Sequence, residues 1–377
     1  MRERSSNQAA MLNYWHKKGV TTIYIKCNSV NKQTKNTQHT QSKPFLHRWL
    51  ESVWYENGKG RFLLIPLSAL FCFISQRRRK QQEATQRAFS IPIIVIGNIS
   101  VGGTGKTPLV IALTQHLQQQ GYKPCIITRG YTGKAEKWPL AVTNETDVNL
   151  SGDEAKLMAL RTQVPVIASP KRIDAIRYAL KHYADQCDCI LSDDGLQHYK
   201  MHRDMEIAVI DGQRQFGNGQ CLPAGPLRER PDRLAQCDLV IVNGASLPAY
   251  QHTLQISSHE WRSLDNTQKR PHTALQQVHV YTAIGNPQRF IDHLCDKGIT
   301  IAHCHFFPDH HHFTQDDFTT LDNTLPIVMT EKDAVKCQQL HLENAWYLPI
   351  NAQLDNAFKI AFNSHFSNIA SRDNSYE

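Results

Sequence analysis

C-x-x-C cysteine pairs and long hydrophobic runs are both missing from this chain. Ten cysteines are spread over 377 residues and none forms a C-x-x-C pair, so a disulfide scaffold, a metal ribbon and a thioredoxin-like site lack their signatures. We therefore expect reduced, mostly buried thiols. No apolar segment reaches the roughly 20 residues that span a bilayer. Residues 1–26 are interrupted by Arg, Glu, Lys and His, and no secretory signal is expected.

Composition indicates a globular protein with an anionic partner. Hydrophobic residues make up 41% of the chain and charged residues 20%, which excludes a disordered or collagen-like protein. The length allows two or three domains. The formal net charge of +8 favours a nucleotide, a nucleic acid or an acidic lipid as partner, without separating them.

The N-terminal region divides into two segments. Residues 1–43 are rich in Asn, Gln, Thr, Ser and Lys, and we predict a disordered tail. Residues 44–88 contain fourteen uncharged residues, Phe62 to Ser75, followed by the basic run Arg77 to Lys80. This pattern is typical of a helix lying at a membrane surface, with its basic end on anionic lipid. A buried core helix with a solvated basic end is the alternative.

Beyond this segment, short apolar runs alternate with helical patterns. Over residues 89–247 this alternation predicts an α/β fold with a doubly wound, mostly parallel sheet. After a polar stretch the pattern resumes, and we predict a second, smaller α/β domain over residues 248–377.

A glycine-rich loop with the context of a P-loop follows the first buried strand. The segment GNISVGGTGKTP comes after the apolar run Ile91–Gly97 and opens a helix. Its backbone N–H groups and the helix N-terminus form a cradle for phosphate oxygens. The strict pattern has Gly where Ser100 stands, and a Gly-rich turn without nucleotide is the alternative. The predicted nucleotide-binding residues in this loop are Ser100, Val101, Gly102, Gly103, Thr104, Gly105, Lys106 and Thr107.

A second apolar strand ends in two carboxylates. Asp193 and Asp194 follow Cys189–Ser192, and adjacent carboxylates at a strand end can share one divalent cation. Together with the Thr107 hydroxyl they are the predicted Mg²⁺ ligands. An ordinary acidic turn is the alternative. Gln197 and His198 follow in the same turn.

Three further features carry candidate chemistry. Asp153 precedes a helical stretch and is either an N-cap or a base near a phosphoryl acceptor. Arg228 and Glu229 lie in a probable loop, where an arginine can clamp phosphate or be merely solvated. The histidine-rich run 303–312 suggests a metal site but lacks the usual ligand spacing. A metal site, a base-orienting or phosphate-contacting role and a surface role all stay open.

Six motifs in order resemble those of the tetraacyldisaccharide 4′-kinase (lipid A 4′-kinase) family. They are GNISVGGTGKTP at 97–108, GDE at 152–154, SDDGLQH at 192–198, AGPLRE at 224–229, FPDHH at 307–311 and TEKDAVK at 330–336. The resemblance runs from about Phe45 to the C-terminus. It implies a P-loop NTPase-like kinase that transfers the γ-phosphoryl group of ATP to the 4′-hydroxyl of tetraacyldisaccharide 1-phosphate.

The resemblance also implies roles, a location and partners. Lys106 and Thr107 would serve the phosphates and Mg²⁺, and Gln197 and His198 would lie beside the phosphates. The resemblance implies a peripheral membrane enzyme that acts at the cytoplasmic face of a bacterial inner membrane and has no nucleic-acid partner. Oligomeric state is not indicated.

The implied catalytic set extends beyond the loop. Asp153 would activate the acceptor, paired with His310, with His311 as the rival because an alignment by eye does not settle a shift of one residue. Arg228 and Glu229 would lie near the reaction centre.

Two other functions compete with the kinase. A P-loop GTPase that chaperones metal would explain the histidines, but it needs an NKxD motif, which Thr330–Asp333 resembles only superficially. A peripheral membrane adaptor that binds ATP structurally is the second, and the acidic residues at 153, 193 and 194 argue against it.

Overall fold

The chain forms two α/β units in a computed structural model that describes residues 21–23, 45–56, 58, 60–318 and 324–373. The larger unit comprises the described residues within Ser42–Ser257 and Asn351–Glu377, and the smaller those within Met1–Gln41 and Ser258–Ile350. The strands, numbered along the chain, are β1 (Thr21–Ile23), β2 (Ile93–Gly97), β3 (Pro124–Thr128), β4 (Leu140–Val142), β5 (Val166–Ala168), β6 (Cys189–Asp193), β7 (Met205–Asp211), β8 (Leu239–Asn243), β9 (His252–Ser257), β10 (Glu260–Ser263), β11 (Lys269–Pro271), β12 (Gln277–Thr282), β13 (Thr300–Phe306), β14 (Ile327–Thr330), β15 (Ala345–Leu348) and β16 (Asn351–Leu354).

Nine α-helices and four 3₁₀ segments are present among these described residues. The α-helices are α1 (Phe45–Tyr55), α2 (Arg61–Glu83), α3 (Lys106–Gln119), α4 (Val148–Ser151), α5 (Asp153–Thr162), α6 (Arg172–His182), α7 (Pro287–Asp296), α8 (Glu331–Lys336) and α9 (Asn356–Asp373). The 3₁₀ segments are Ala184–Gln186, Pro231–Gln236, His272–Ala274 and Gln315–Phe318.

The larger unit is built on a nine-stranded sheet that confirms the predicted fold class. Its order is β16-β9-β8-β7-β2-β6-β3-β5-β4, and only the edge strands β16 and β4 pair antiparallel. The central strands β2, β3 and β6 are buried along their whole length, as expected for parallel strands covered on both faces. The carboxyl ends of β2, β6, β7 and β8 therefore meet at one edge of the sheet, where ligands bind in open α/β folds.

The C-terminal boundary differs from the prediction of one domain over 248–377. Residues 351–373 belong to the larger unit: β16 pairs with β9, and α9 buries Phe358, Phe362 and Phe366. Tyr122 meets the last of these rings edge-on at 4.9 Å. The aromatic side chains along one side of α9 must pack against other apolar surface. The order of elements along the chain did not show which of the two units supplies that surface.

The smaller unit has its own sheet, which confirms the predicted second α/β domain. The order is β1-β13-β12-β14-β15-β10-β11, with β13, β12, β14 and β15 parallel. β1 pairs antiparallel with β13 and lies inside the segment predicted as a disordered tail. At these three β-branched residues, which favour strand pairing, the prediction is wrong, and the rest of the tail lies outside the described residues.

Helix α2 presents its apolar side outward. Leu63 is 82% exposed and Phe62 70% exposed. The side that faces the protein is formed by the small or polar residues Ser68, Cys72 and Arg79. The Ser68 hydroxyl donates to the Cys221 carbonyl at 2.7 Å. The alternative of a buried core helix is therefore wrong, and within the described part of the chain no helix is long and apolar enough to cross a membrane.

Candidate functional site

The glycine-rich loop joins β2 to α3 and has the shape of a phosphate cradle. Gly102 and Gly105 adopt φ values of 102° and 96°, which residues other than glycine avoid. Ser100 instead forms a β-bridge with Leu227, and the Val101 N–H donates to the Pro226 carbonyl at 2.8 Å. Because position 100 is paired like a strand residue, it does not need glycine, which explains the departure from the strict pattern.

Asn243 locks the loop from the neighbouring strand β8. Its buried Nδ2 donates to the Thr104 carbonyl at 3.0 Å. A Cβ atom on Gly105 would lie 2.5 Å from that nitrogen, so the residue is required for space as well as for φ. Sequence reasoning missed Asn243, although a polar residue at the carboxyl end of an apolar strand was a usable signal.

Lys106 is held above the loop by two oxygen atoms. Its Nζ donates to Asn98 Oδ1 at 3.1 Å and lies 3.4 Å from Asp194 Oδ1. Asn98 is fully buried, and its Nδ2 donates to the Ser100 carbonyl at 2.7 Å. A residue absent from the predicted set thus orients both the lysine and the loop.

Asp194 is kept ionised by two cations. Burial acts to raise its pKa, but Lys106 and Arg228 outweigh that effect and the pKa is lowered. The Arg228 guanidinium lies 3.3 Å from both carboxylate oxygens. Lys106, Asp194 and Arg228 therefore converge beside the loop.

The pKa of Asp193 is shifted in the opposite direction from that of Asp194. Burial, followed by the charges of Glu154 and Asp194, raises its pKa to about 7. Thr128 Oγ1 donates to Oδ2 at 3.4 Å, whereas Oδ1 is buried without a hydrogen-bond partner among the described residues. The buried Arg172, which the sequence did not single out, donates to the Asp193 main-chain carbonyl at 2.7 Å.

Gln197 and Glu229 connect the loop to α2. Gln197 Nε2 donates to the Asn98 carbonyl at 3.0 Å and to Glu229 Oε1 at 2.8 Å. Glu229 Oε2 lies 3.6 Å from Arg233 Nε and 4.0 Å from Arg79. Glu229 is buried and is engaged on both oxygens, so its surroundings are those of a positioning residue.

His198 lies in cationic surroundings. Burial, then Arg172 and Arg129, lowers its pKa to about 4. The imidazole is therefore neutral at physiological pH and can accept or donate one hydrogen bond.

Asp153 is the first residue of α5, and the N-cap is Gly152. The predicted alternative, that Asp153 is an N-cap, is therefore wrong. Its side chain is buried, and Oδ1 accepts from the Glu154 N–H at 2.9 Å. A Cβ atom on Gly152 would lie 2.1 Å from the Tyr131 carbonyl, which fixes the start of the helix and the position of this carboxylate.

The histidine-rich run belongs to the smaller unit. His311 stacks on Phe307 at 4.7 Å and its Nε2 lies 3.0 Å from the buried carboxylate of Asp317. His310 has a left-handed backbone with φ 60°. No group of three metal-ligating side chains occurs among the residues that the structure covers. His310 and Asp153 lie in different units, and their pairing stays a prediction.

Comparisons with known proteins identify the family. The family model described as LpxK, tetraacyldisaccharide-1-P 4′-kinase, matches residues 60–367. The tetraacyldisaccharide 4′-kinase of Hahella chejuensis is 44% identical over 322 residues, covering 82% of this chain and 94% of that protein. That of Legionella pneumophila (strain Lens) is 44% identical over 325 residues, covering 84% and 97%. The crystal structure of LpxK from Aquifex aeolicus in complex with ATP is similar with a TM-score of 0.68 and 26% identity, covering 81% of this chain and 99% of that one.

Proposed function

The chain belongs to the tetraacyldisaccharide 4′-kinase family, and we propose that it transfers the γ-phosphoryl group of ATP to the 4′-hydroxyl of tetraacyldisaccharide 1-phosphate. This assignment replaces the GTPase and adaptor alternatives. The observation that carries it is the convergence of Lys106, Asp194 and Arg228 on a glycine-rich loop at the carboxyl edge of a parallel sheet.

Phosphoryl transfer needs positioning and neutralisation of charge more than covalent chemistry. The loop N–H groups and the N-terminus of α3 would hold the phosphates of ATP, and Lys106 would exchange its contacts with Asn98 and Asp194 for phosphate oxygens. Arg228 is the second cation within reach of Asp194. It supplies donors for the developing charge on the transferred group.

The donor set fits Mg²⁺. Asp194 is ionised and Asp193 has a buried oxygen without a partner in the described part of the chain. Thr107 follows Lys106 in the first turn of α3. These three residues would hold the ion, which when bound neutralises charge on the β- and γ-phosphate oxygens.

Asp153 is our assignment for the group that accepts the proton of the 4′-hydroxyl. The acceptor oxygen then forms its bond to the γ-phosphorus as the bond to the β-phosphate bridging oxygen breaks, and ADP leaves. Burial at a helix N-terminus fixes the carboxylate in one place. We assign His310 as the supporting base, as the family resemblance implies.

Helix α2 is our proposed contact with the membrane. Its exposed apolar side chains include Leu63 and Phe73, and the basic residues Arg77 and Arg78 are exposed at its C-terminal end. Apolar side chains insert at the acyl boundary while cations meet anionic headgroups. A lipid acceptor makes the cytoplasmic face of the inner membrane the proposed place of work.

A transfer assay tests the proposal. Purified protein receives Mg-ATP and tetraacyldisaccharide 1-phosphate in detergent micelles, and product mass and position of phosphorylation are measured against a reaction without acceptor. We expect one added phosphate at the 4′ position. Lys106→Ala should abolish transfer, whereas the exposed control Lys137→Ala should not. ATP hydrolysis without product, or full activity in folded Lys106→Ala, would refute the proposal.

A further inference from the structure

The TEKDAVK motif at 330–336 has no place in the transfer mechanism, yet it forms a dense buried cluster in the smaller unit. Asp333 is fully buried and is the third residue of α8, in its first turn. One carboxylate oxygen, Oδ2, accepts from Thr282 Oγ1 at 2.9 Å and from Thr330 Oγ1 at 2.7 Å. The other, Oδ1, lies 2.7 Å from Lys336 Nζ.

The cluster holds both main-chain polar groups of one residue, Ala283, directly after the end of β12. Ala283 donates its N–H to Asp333 Oδ1 at 3.2 Å. The Ala283 carbonyl accepts from Lys336 Nζ at 3.3 Å. Both polar atoms of this residue are therefore held by the motif, one by its anion and one by its cation.

The same carbonyl holds the loop that carries His310. The His310 N–H donates to the Ala283 oxygen at 3.2 Å. His310 has φ 60°, a backbone conformation that non-glycine residues adopt only when their surroundings impose it. Nearby, a Cβ atom on Gly285 would lie 3.1 Å from Asp309 Oδ2, so the strand end and the loop are in close contact.

We propose that Asp333 and Lys336 are positioning residues for His310, acting through the Ala283 peptide. This inference rests on the proposed role of His310 in the transfer reaction. A charged donor on a shared carbonyl fixes the direction of that carbonyl more strongly than a neutral one. Without Lys336, the Ala283 carbonyl loses its cationic donor. The carbonyl that accepts from the His310 N–H is then no longer fixed in direction. A displacement of about 1 Å in a catalytic group lowers turnover by about 100-fold.

A double-mutant cycle between Lys336 and His310 tests the inference. We expect Lys336→Met to lower kcat by roughly 10- to 100-fold with the KM for Mg-ATP unchanged. In a His310→Ala background, the same substitution should lower the residual kcat by less than about twofold, because the group it positions is gone. Residual turnover is followed with radiolabelled ATP.

The matched control is Lys297→Met in the same unit. Lys297 Nζ also donates to a main-chain carbonyl, that of Ser258 at 2.9 Å, but that carbonyl does not hold the His310 loop. We expect near wild-type kcat. Removing only one member of a buried ion pair is destabilising, so the charge-free variant Asp333→Asn/Lys336→Met is measured as well, with thermal unfolding recorded for every protein.

The outcomes separate the inference from its premise. The positioning role would be overturned if Lys336→Met lowered kcat equally with and without His310, or if the charge-free variant kept full activity. Either result would leave the proposed role of His310 unaffected. Wild-type activity in His310→Ala would overturn the proposed role of His310, and the inference with it.

Discussion

Asp193 should bind a divalent cation in competition with a proton, and Glu154→Gln should change that competition. Glu154 is the largest electrostatic cause, after burial, of the raised pKa of Asp193. A carboxylate must lose its proton before it ligates a metal. Removing the Glu154 charge therefore favours the ionised, metal-binding form of Asp193.

The magnitude follows from a pKa of about 7. About nine-tenths of Asp193 is ionised at pH 8 and about one-tenth at pH 6, so affinity for Mg²⁺ should fall about tenfold as the pH drops across this range. A nearby like charge raises the pKa of a carboxyl group. In Glu154→Gln the pKa of Asp193 should therefore be lower, a larger fraction of Asp193 should be ionised at pH 6, and the affinity for Mg²⁺ there should be several-fold tighter than in the wild type.

Calorimetric titration of Mg-ATP at pH 6, 7 and 8, in buffers of different ionisation enthalpy, measures both affinity and proton release. Titration of ATP itself is common to all proteins and cancels in the comparison. Glu136→Gln, a change at an exposed glutamate, is the matched control and should behave as wild type. If Glu154→Gln binds Mg-ATP no more tightly than wild type at pH 6, the coupling between the two carboxylates is refuted.

Three further predictions concern the acceptor side and the termini. Asp153→Ala should lower kcat by about 100- to 10,000-fold with little change in ATP affinity. Steady-state kinetics and equilibrium nucleotide binding measure the two quantities. A loss of ATP affinity alone would mean that Asp153 has a structural role. Leu63→Glu and Phe73→Glu should each weaken binding to anionic vesicles by about tenfold or more in sedimentation assays. The control variant Lys137→Glu, at an exposed residue, should bind nearly as wild type. Unchanged binding of both Leu63→Glu and Phe73→Glu would exclude α2 as the membrane contact. Deletion of residues 1–20, which leaves the edge strand β1 in place, should leave transfer activity unchanged, and a loss would show that this segment contributes to the enzyme.

Prediction from the sequence was most accurate where one short segment contains both a secondary-structure element and the functional residues beside it. The phosphate loop, its flanking strand and helix, and the two carboxylates ending β6 were all predicted within a few residues of their observed positions. Each rests on a short-range pattern: an apolar run, then a turn, then a polar group at the strand end.

What the sequence did not show depends on contacts between distant segments. Asn243 reaches Thr104 across 139 positions of the chain, and the buried Arg172 meets the main chain of Asp193. Neither residue stands in a motif, and their roles follow only from the order of strands in the sheet. The return of α9 to the larger unit was missed for the same reason, because an aromatic stripe shows that a helix is covered but not by what.

The segment 221–233 connects the exposed helix α2 to the phosphate loop. Its first part accepts the Ser68 hydroxyl of α2 at the Cys221 carbonyl, 2.7 Å away. Pro226 then binds the Val101 N–H of the loop at 2.8 Å, and Arg228 reaches Asp194. Since α2 turns its small polar side to this segment and its apolar side outward, the helix gives up burial of its own apolar surface to keep these contacts. That arrangement is unfavourable in water alone, and it supports the proposal that a lipid surface covers the apolar side of α2.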